Sequence, residues 1–346
     1  MHKSEKPVAV DLFCGCGGLT FGMRKAGINV LAGIDSDPKL KETYEINNPG
    51  SVYILKDIRN VTGTDIERIF KGHKGPKILA GCAPCQPFSK MNKKKSKLHK
   101  DYSLLLEFGR LIREVRPDGV IMENVPQLLD RGHKVFDKFL KTLQEVGLAE
   151  THEPSLDFAS YGVPQHRKRL VLIAARNRPR LPRLIYGPNC TKNFRTVEWA
   201  IRKYPIIKQG HSESTKRNHS CRSLSELNLE RIALTPHNGG SRKDIPKLFW
   251  IRTHKAHRGH DDTYGRMKWT DPAPTLTCKC LSVTNGRFAH PEQDRGISVR
   301  EAAALQSFPD RYSFPLNLQV AQRCIGNAVP PLIAKKISRS LLKYIS

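Results

Sequence analysis

Short apolar runs alternate with amphipathic segments along the first half of the chain. The apolar runs predict buried strands over residues 8–13, 29–34, 77–80, 119–122 and 171–175, with a further short strand closing at 56–58. Apolar residues at helical spacing predict helices over residues 19–26, 103–115, 298–305 and 331–344. Strands that alternate with helices indicate an α/β fold. We expect the last helix to pack beside the first strand.

The regular alternation stops near Arg176. From there to about Gln293, repeated prolines and polar or basic clusters, such as residues 216–219 and 254–258, replace it. The histidines at 254, 257 and 260 suit a solvated loop better than a metal site, and no metal is expected. The sequence therefore predicts a separate, irregular region here, without an internal repeat.

The charge of the chain predicts a polyanionic partner. The 346 residues include 59 Lys and Arg against 32 Asp and Glu, a formal net charge of +27, and nucleic acid is the first candidate. No segment approaches the roughly 20 apolar residues of a membrane-spanning helix. Nine scattered cysteines, an odd number, argue against a disulfide framework. We expect a cytoplasmic protein without a cleavable leader.

Cys85 lies in the turn-forming segment 81–89, which follows a predicted strand. Its prolines and glycine disfavour a helix start, so Cys85 stands just beyond a strand end, where α/β proteins place their reactive groups. A thiolate at this position can act as a nucleophile, and a small buried cysteine is the alternative. The basic run 90–100 that follows is either a solvated loop or a lid that meets phosphates.

Three other strand ends carry candidate chemistry. The glycine turn at 15–18 either brings backbone N–H groups close to a ligand or is only a tight turn. Asp35 either binds a ribose diol or caps the next helix. Glu123 either caps a helix or works as an acid, since burial disfavours its charged form and lets it carry a proton near neutral pH.

Two further features leave several interpretations open. Asp57 either caps a turn or accepts a hydrogen bond from an adenine amino group. Gln165, Arg167 and Arg169 alternate, so they project from one side of an extended segment. That side suits a carbonyl oxygen, phosphates or a carboxylate, or it is an ordinary basic edge.

Five motifs, in order and across nearly the whole chain, resemble those of the DNA cytosine-5 methyltransferases. They are Asp11-Leu12-Phe13 with Gly15, Gly17 and Gly18; Pro84-Cys85-Gln86-Pro87; Glu123-Asn124-Val125; Gln165 with Arg167 and Arg169; and Gly326-Asn327. The resemblance implies a doubly wound mixed sheet of the S-adenosylmethionine-dependent (Rossmann-like) type, with a smaller, irregular target-recognition domain. The implied domains are a catalytic, cofactor-binding domain (1–175), a target-recognition domain (176–293) and a segment that returns to the catalytic domain (294–346).

The resemblance also implies a chemistry. The thiolate of Cys85 would add to carbon 6 of a flipped-out cytosine and make carbon 5 attack the methyl group of S-adenosylmethionine, leaving S-adenosylhomocysteine. Glu123 would protonate or hydrogen-bond ring nitrogen 3, and Arg167 would hold the carbonyl oxygen of the base. Arg169 and Gln165 would support the pocket or the catalytic loop.

Ligand-binding residues follow from the same resemblance. Phe13 would stack on the adenine, the glycines at 15, 17 and 18 would meet the methionine part, and Asp35 would take the ribose. The other implied cofactor residues are Asp57, Ile58, Leu104, Asn327 and Ala328. The implied DNA contacts are Gln86, Ser89, Lys93, Lys94, Lys95, Arg266 and Thr275.

The implied partner is double-stranded DNA, bound by a monomer of bacterial or phage origin in a restriction-modification system with a separately acting endonuclease. A related tRNA methyltransferase shares the catalytic motifs but lacks a recognition region as long as 176–293. A non-catalytic DNA-binding protein would not need Cys85, Glu123 and Arg167 together. A redox function for Cys82 and Cys85 is disfavoured, because the fold expected around such a cysteine pair is missing from this sequence.

Overall fold

The apolar runs form most of a seven-stranded sheet in the computed structural model, which describes residues 5–84, 104–250 and 261–345. The strands are β1 (Val8–Leu12), β2 (Asn29–Asp35), β3 (Val52–Leu55), β4 (Lys77–Gly81), β5 (Gly119–Asn124), β6 (Ala149–Asp157) and β7 (Lys168–Ala175). Their order is β3-β2-β1-β4-β5-β7-β6. The first five pair in parallel, whereas β7 is antiparallel to both β5 and β6. The predicted mixed α/β sheet is confirmed.

Helices cover both faces of this sheet. Those in the first half of the chain are α1 (Gly18–Ala26), α2 (Lys41–Asn47), α3 (Gly63–Phe70), α4 (Leu104–Val115), α5 (Gln127–Arg131) and α6 (His133–Glu145). Val120 of β5 joins the apolar cluster that contains Phe108 of α4 and Phe139 of α6. The neighbouring Gly119 instead lies against Leu341 near the C-terminus. Successive strand residues point to opposite faces, so the sheet is doubly wound.

A second compact unit, formed by residues 159–167 and 185–328, contains little regular structure. Its elements are α7 (Val197–Ile201), β8 (Ser212–Glu213), β9 (His219–Ser220), α8 (Glu226–Leu234), α9 (Val299–Leu305) and α10 (Leu318–Asn327). A buried ion pair helps to hold its loops. Arg295 donates to both carboxylate oxygens of Glu301 at 2.7 Å. Burial by itself would raise the pKa of Glu301, but the charge and hydrogen bonds of Arg295 lower this pKa to about 2.

The last helix, α11 (Pro331–Leu341), belongs to the first unit. Its main partner is α1, and Gly22 lies so close to Ala334 that an added Cβ would overlap it. It also reaches β5 and β7. The helix therefore packs on the helix that follows the first strand, rather than beside that strand as the sequence led us to expect.

The borders of the two units differ from the domain borders that the resemblance implies. The segment 159–167 belongs to the second unit, although it falls within the implied catalytic domain. The segment 294–328 also belongs to the second unit, and the chain rejoins the first unit from Val329 on. Among the helices of the described ranges, none is long and apolar enough to cross a membrane.

Candidate active site

Four parallel strands of the first unit end at one edge of the sheet. Leu12 of β1 lies opposite both Ile34 of β2 and Gly81 of β4, and Gly81 lies opposite Met122 of β5. The residues that come next along each strand therefore gather at this edge. They include the glycine turn and Glu123, so the strand ends singled out in the sequence do meet.

The turn between β1 and α1 leaves its backbone open to a ligand. Phe13, Gly15 and Gly17 have left-handed φ angles of 58°, 55° and 91°. An added Cβ at Gly15 would meet no atom within 4 Å, so a ligand can approach the main chain there. Helix α1 then begins at Gly18, and its cap, Gly17, offers no side-chain acceptor to the first-turn N–H groups.

Asp35 joins the end of β2 to this turn. Its Oδ2 accepts a hydrogen bond from the Gly15 N–H at 2.9 Å, and its Oδ1 accepts one from the Asp37 N–H at 3.0 Å. Burial raises the pKa of Asp35. The capping role left open for Asp35 belongs to Asp37, which accepts from the Lys39 N–H and caps the short 3-10 helix Pro38–Leu40.

Asp57 is a cap. Strand β3 ends at Leu55, and Asp57 accepts from the Arg59 N–H at 3.0 Å at the start of the 3-10 helix Ile58–Asn60. The Arg59 guanidinium bonds both carboxylate oxygens, at 3.0 and 2.6 Å, and these hydrogen bonds lower the pKa of Asp57. Ile58 and Leu104 lie in the apolar core of the first unit.

Asp11 is a buried carboxylate that belongs to the first motif, and the sequence analysis assigned it no role. It lies in β1, and its Oδ2 accepts from the Thr20 hydroxyl at 2.6 Å. Its Oδ1 has no hydrogen-bond partner among the residues that the structure describes. Burial raises the pKa of Asp11 to about 7, although hydrogen bonds from Thr20 oppose the rise. The available signal was an acidic residue inside an otherwise apolar strand, since an unpaired buried carboxylate costs free energy.

Glu123 stands at the tip of β5 and is 7% exposed. Its Oε1 lies 3.1 Å from the Nε of Arg169 on the adjacent strand β7. The cap of α5 is Pro126, so Glu123 does not cap that helix. Of the three alternating residues near 167, the structure brings Arg169 to Glu123.

The chain that leads to the nucleophile candidate is anchored to β5. Asn124 donates from its side-chain amide to the Ala83 carbonyl at 3.2 Å. Burial, together with the nearby Glu123 and Asp11 carboxylates, raises the pKa of the Cys82 thiol well above its ordinary value. Cys82 therefore stays a neutral thiol, a poor nucleophile. The other predicted residues of this stretch, Cys85, Gln86, Ser89, Lys93, Lys94 and Lys95, lie outside the described residues.

Arg167 is a buried hydrogen-bond centre of the second unit. It is 2% exposed, and its Nη1 donates to the Leu276 carbonyl at 3.0 Å. Its Nη2 donates to the carbonyls of Gly326 at 2.9 Å and Ala328 at 3.3 Å. The guanidinium thus fastens α10 and the chain that follows it to the segment around Leu276.

Gln165 and Thr275 tie the same segments together. The side-chain oxygen of Gln165 accepts from the Leu276 N–H at 2.9 Å, and its amide nitrogen donates to the Gln306 side chain at 3.1 Å. The Thr275 hydroxyl donates to the His166 carbonyl at 2.7 Å. Asn327, an implied cofactor residue, ends α10 and is exposed.

Arg266 is fully buried, which argues against the DNA contact predicted for it. Its donors go to the carbonyls of Ile232, Thr235, His290 and Gln293 and to the Asp294 carboxylate. A side chain with every donor group satisfied inside the second unit has none left for phosphates or bases. Arg266 is a structural residue.

Comparison with known proteins gives a consistent result along the whole chain. The family model described as C-5 cytosine-specific DNA methylase matches residues 8–343. The Type II methylase M.HgiDII of Herpetosiphon aurantiacus is 41% identical over 97% of this chain and 95% of its own length. The Type II methyltransferase M1.HphI of Haemophilus parahaemolyticus is 30% identical over 96% and 86%.

Solved structures show the same fold. A proposed DNA modification methyltransferase encoded within an Escherichia coli prophage superposes with a TM-score of 0.75 at 22% identity, over 98% of this chain and 99% of its own. The Dnmt2 methyltransferase of Schizosaccharomyces pombe superposes with a TM-score of 0.61 at 18% identity, over 98% and 99%. At these identities the likeness concerns the fold alone.

Proposed function

Because the chain belongs to the family of C-5 cytosine-specific DNA methylases, we propose that it methylates a flipped-out cytosine in a specific duplex sequence through the residues gathered at the edge of its sheet. The enzyme is a DNA cytosine-5 methyltransferase, and what we propose is which residues, cofactor and partners it uses. The observation that carries it is the pair of Glu123 and Arg169, a largely buried carboxylate and guanidinium at the end of β5. Ring nitrogen 3 and the carbonyl oxygen of cytosine are adjacent, so this pair suits both.

Cys85 is the proposed nucleophile. Its thiolate would form a bond to carbon 6, and the displaced electron pair would let carbon 5 attack a methyl group. Loss of the carbon 5 proton, to water in the simplest case, then restores the ring double bond and expels the thiolate. The neighbouring Cys82 does not compete, because its raised pKa keeps it a neutral thiol.

Glu123 is proposed to act at ring nitrogen 3, where a proton or hydrogen bond draws electrons from the ring during thiolate addition. Arg169 is the residue that we assign to the base carbonyl oxygen, because its guanidinium lies beside Glu123. This assignment replaces the one made from the sequence. The Nη1 and Nη2 groups of Arg167 donate to three backbone carbonyls, so Arg167, like Gln165, organises the second unit.

S-adenosylmethionine is the proposed cofactor and S-adenosylhomocysteine the product. When bound, it supplies an electrophilic methyl group. The free space above Gly15 fits a ligand against the main chain, and the unpartnered Oδ1 of Asp11 fits the cationic amino group of the methionine part. Asp35 would take the ribose. The other residues proposed to hold the cofactor are Phe13, Gly17, Gly18, Asp57, Ile58, Leu104, Asn327 and Ala328.

Duplex DNA is the substrate, and its recognition is proposed to reside in the predicted target-recognition domain, residues 176–293, most of which lies in the second unit. The net charge of +27 supports a large phosphate contribution to binding. Thr275 and the residues Gln86, Ser89, Lys93, Lys94 and Lys95 are retained as proposed DNA contacts. We also propose that the protein is a monomer and acts on bacterial or phage DNA in the cytoplasm. A restriction endonuclease of the same system would act separately.

A tRNA cytosine methyltransferase is the competing function, and the length of the second unit disfavours it. Purified protein, incubated with labelled S-adenosylmethionine, should transfer label to duplex DNA and not to tRNA. The Cys85→Ala variant should bind DNA without transferring label, which separates an enzyme from a non-catalytic binder. Label in tRNA alone would overturn the assignment. Bisulfite sequencing of DNA from expressing cells would then identify the methylated sequence.

A further inference from the structure

A chain of hydroxyl groups ends on the carboxylate of Asp11 in β1. The Thr20 hydroxyl lies 2.6 Å from Asp11 Oδ2 and 3.1 Å from the Tyr44 hydroxyl, which lies 2.8 Å from the Ser51 hydroxyl. Each hydroxyl has a single proton, and Thr20 gives its own to the carboxylate. Tyr44 therefore donates to Thr20, and Ser51 donates to Tyr44. All three hydroxyls are directed toward Asp11.

This chain of hydrogen bonds lies in the interior of the first unit. Asp11, Thr20, Tyr44 and Ser51 are all buried. The Tyr44 ring lies against the bare backbone of Gly33, where an added Cβ would overlap it. With Thr20 on α1 and Tyr44 on α2, two helices hold the Asp11 carboxylate in one orientation.

Only one oxygen of Asp11 is used by this chain. Oδ2 accepts from Thr20, while Oδ1 has no partner among the described residues. The titratable groups that act electrostatically on Asp11 are the carboxyl of Asp35, the thiols of Cys14 and Cys82 and the Tyr44 hydroxyl. None of these is a cation. A buried carboxylate with one vacant oxygen and no positive neighbour among them is suited to a cationic ligand.

We infer that Thr20, held by Tyr44 and Ser51, is a positioning residue that directs the free oxygen of Asp11 at the cationic amino group of the cofactor's amino-acid part. This inference rests on the proposed function. It assigns to Thr20 and Tyr44, which lie outside the motifs, a share in cofactor affinity. It also makes that affinity dependent on the protonation of Asp11.

The sign of the pH effect follows from the charges. The pKa of Asp11 is about 7 without ligand, and only the ionised carboxylate attracts an ammonium group. Affinity for a ligand with that group should fall by about tenfold from pH 8 to pH 6, where roughly a tenth of Asp11 is ionised. The Thr20 hydrogen bonds lower the pKa of Asp11, so removing the hydroxyl should move the pH dependence to higher pH.

The test compares two ligands by titration calorimetry on the full chain. S-adenosylhomocysteine carries the amino-acid part, and 5′-methylthioadenosine lacks it. Thr20→Val should weaken S-adenosylhomocysteine binding by about tenfold at pH 7.5, the effect of a hydrogen bond to a charged group, and should leave 5′-methylthioadenosine binding unchanged. Thr20→Ser keeps the hydroxyl and should keep the wild-type affinity for S-adenosylhomocysteine. Thr142→Val removes a buried hydroxyl from α6 and is the matched control.

Each outcome has one interpretation. Equal losses for the two ligands would show that Thr20 only supports the fold, and would overturn the inference. If Thr20→Val does not fold, the Tyr44→Phe variant and the pH profile of the wild type test the inference in its place. The ratio of the affinities for S-adenosylhomocysteine and 5′-methylthioadenosine should differ between pH 6 and pH 8. A constant ratio would also overturn the inference. Failure of the wild type to bind S-adenosylhomocysteine at all would count against the proposed cofactor instead.

Discussion

The carboxylate of Glu123 and the guanidinium of Arg169 form a largely buried ion pair, with Oε1 3.1 Å from Nε. The two residues are far apart in the sequence, but β7 runs antiparallel to β5, so the start of one strand lies beside the end of the other. The pair thus places an acceptor and a planar donor at the end of β5. Under the proposed function, these two side chains recognise the base together.

Replacing Glu123 by Gln should reduce turnover by about 100-fold or more while DNA affinity changes little, because the amide cannot transfer a proton to ring nitrogen 3. Single-turnover methylation and a DNA binding isotherm on the same preparation measure the two effects. Equal losses in rate and affinity would contradict the acid role of Glu123.

Arg169 and Arg167 should differ in what they affect. Arg169→Lys should lower the methylation rate by roughly 100-fold with little change in stability, since a point charge cannot replace the fork beside Glu123. Arg167→Lys should lower the free energy of unfolding by roughly 2–4 kcal/mol, because buried carbonyls lose their donors. Chemical denaturation and single-turnover rates test both. The reverse pattern would restore the assignment made from the sequence.

Arg266→Met should destabilise the protein by roughly 3 kcal/mol or more, because it leaves several buried carbonyls and the Asp294 carboxylate without a donor. The salt dependence of DNA binding should stay unchanged below the unfolding temperature. Loss of a phosphate contact would instead reduce the slope of log affinity against log salt by about one. Arg217→Ala, at an exposed arginine of the same unit, is the control for stability.

Gly326→Ala should destabilise the protein by roughly 1–3 kcal/mol, because an added Cβ would overlap the backbone of Thr277. The matched control is Gly109→Ala on α4, where a Cβ would make ordinary contacts with Thr142 and Phe139. That change should be neutral or slightly stabilising through helix propensity. Similar midpoints for the two variants in thermal unfolding would contradict the close approach at Gly326.

Acid should destabilise the protein through His290. Burial lowers its pKa to about 4, so the folded state excludes a proton that the unfolded chain binds below pH 6.5. Stability should therefore fall as the pH drops from 6.5 to 4. His290→Asn, whose oxygen can accept the backbone N–H groups of Glu292 and Gln293, should flatten this slope. An unchanged slope in unfolding midpoints against pH would exclude His290 as the source.

The apolar pattern of the chain was sufficient for most strands of the first unit and for helices α1, α4 and α11, because the apolar residues of a buried strand or helix face recur at a regular spacing in the sequence. It also located Glu123 and the glycine turn at strand ends. Strand β6 was not predicted, because it is an edge strand whose residues are mostly polar and only partly buried. The polar, proline-rich second unit offered no period from which to predict a fold.

Only the tertiary structure showed which polar groups meet. Arg167, Arg169 and Arg266 are the same residue type in similar basic surroundings, yet one holds Glu123 and two are fixed to backbone carbonyls of the second unit. Likewise, nothing near Asp11 in the sequence shows that Thr20 occupies one of its oxygens and leaves the other vacant. The sequence by itself determined much of the secondary structure of the first unit and the chemistry available. The partners of each charge depend on long-range packing, which brings residues tens or more than a hundred positions apart within hydrogen-bond distance.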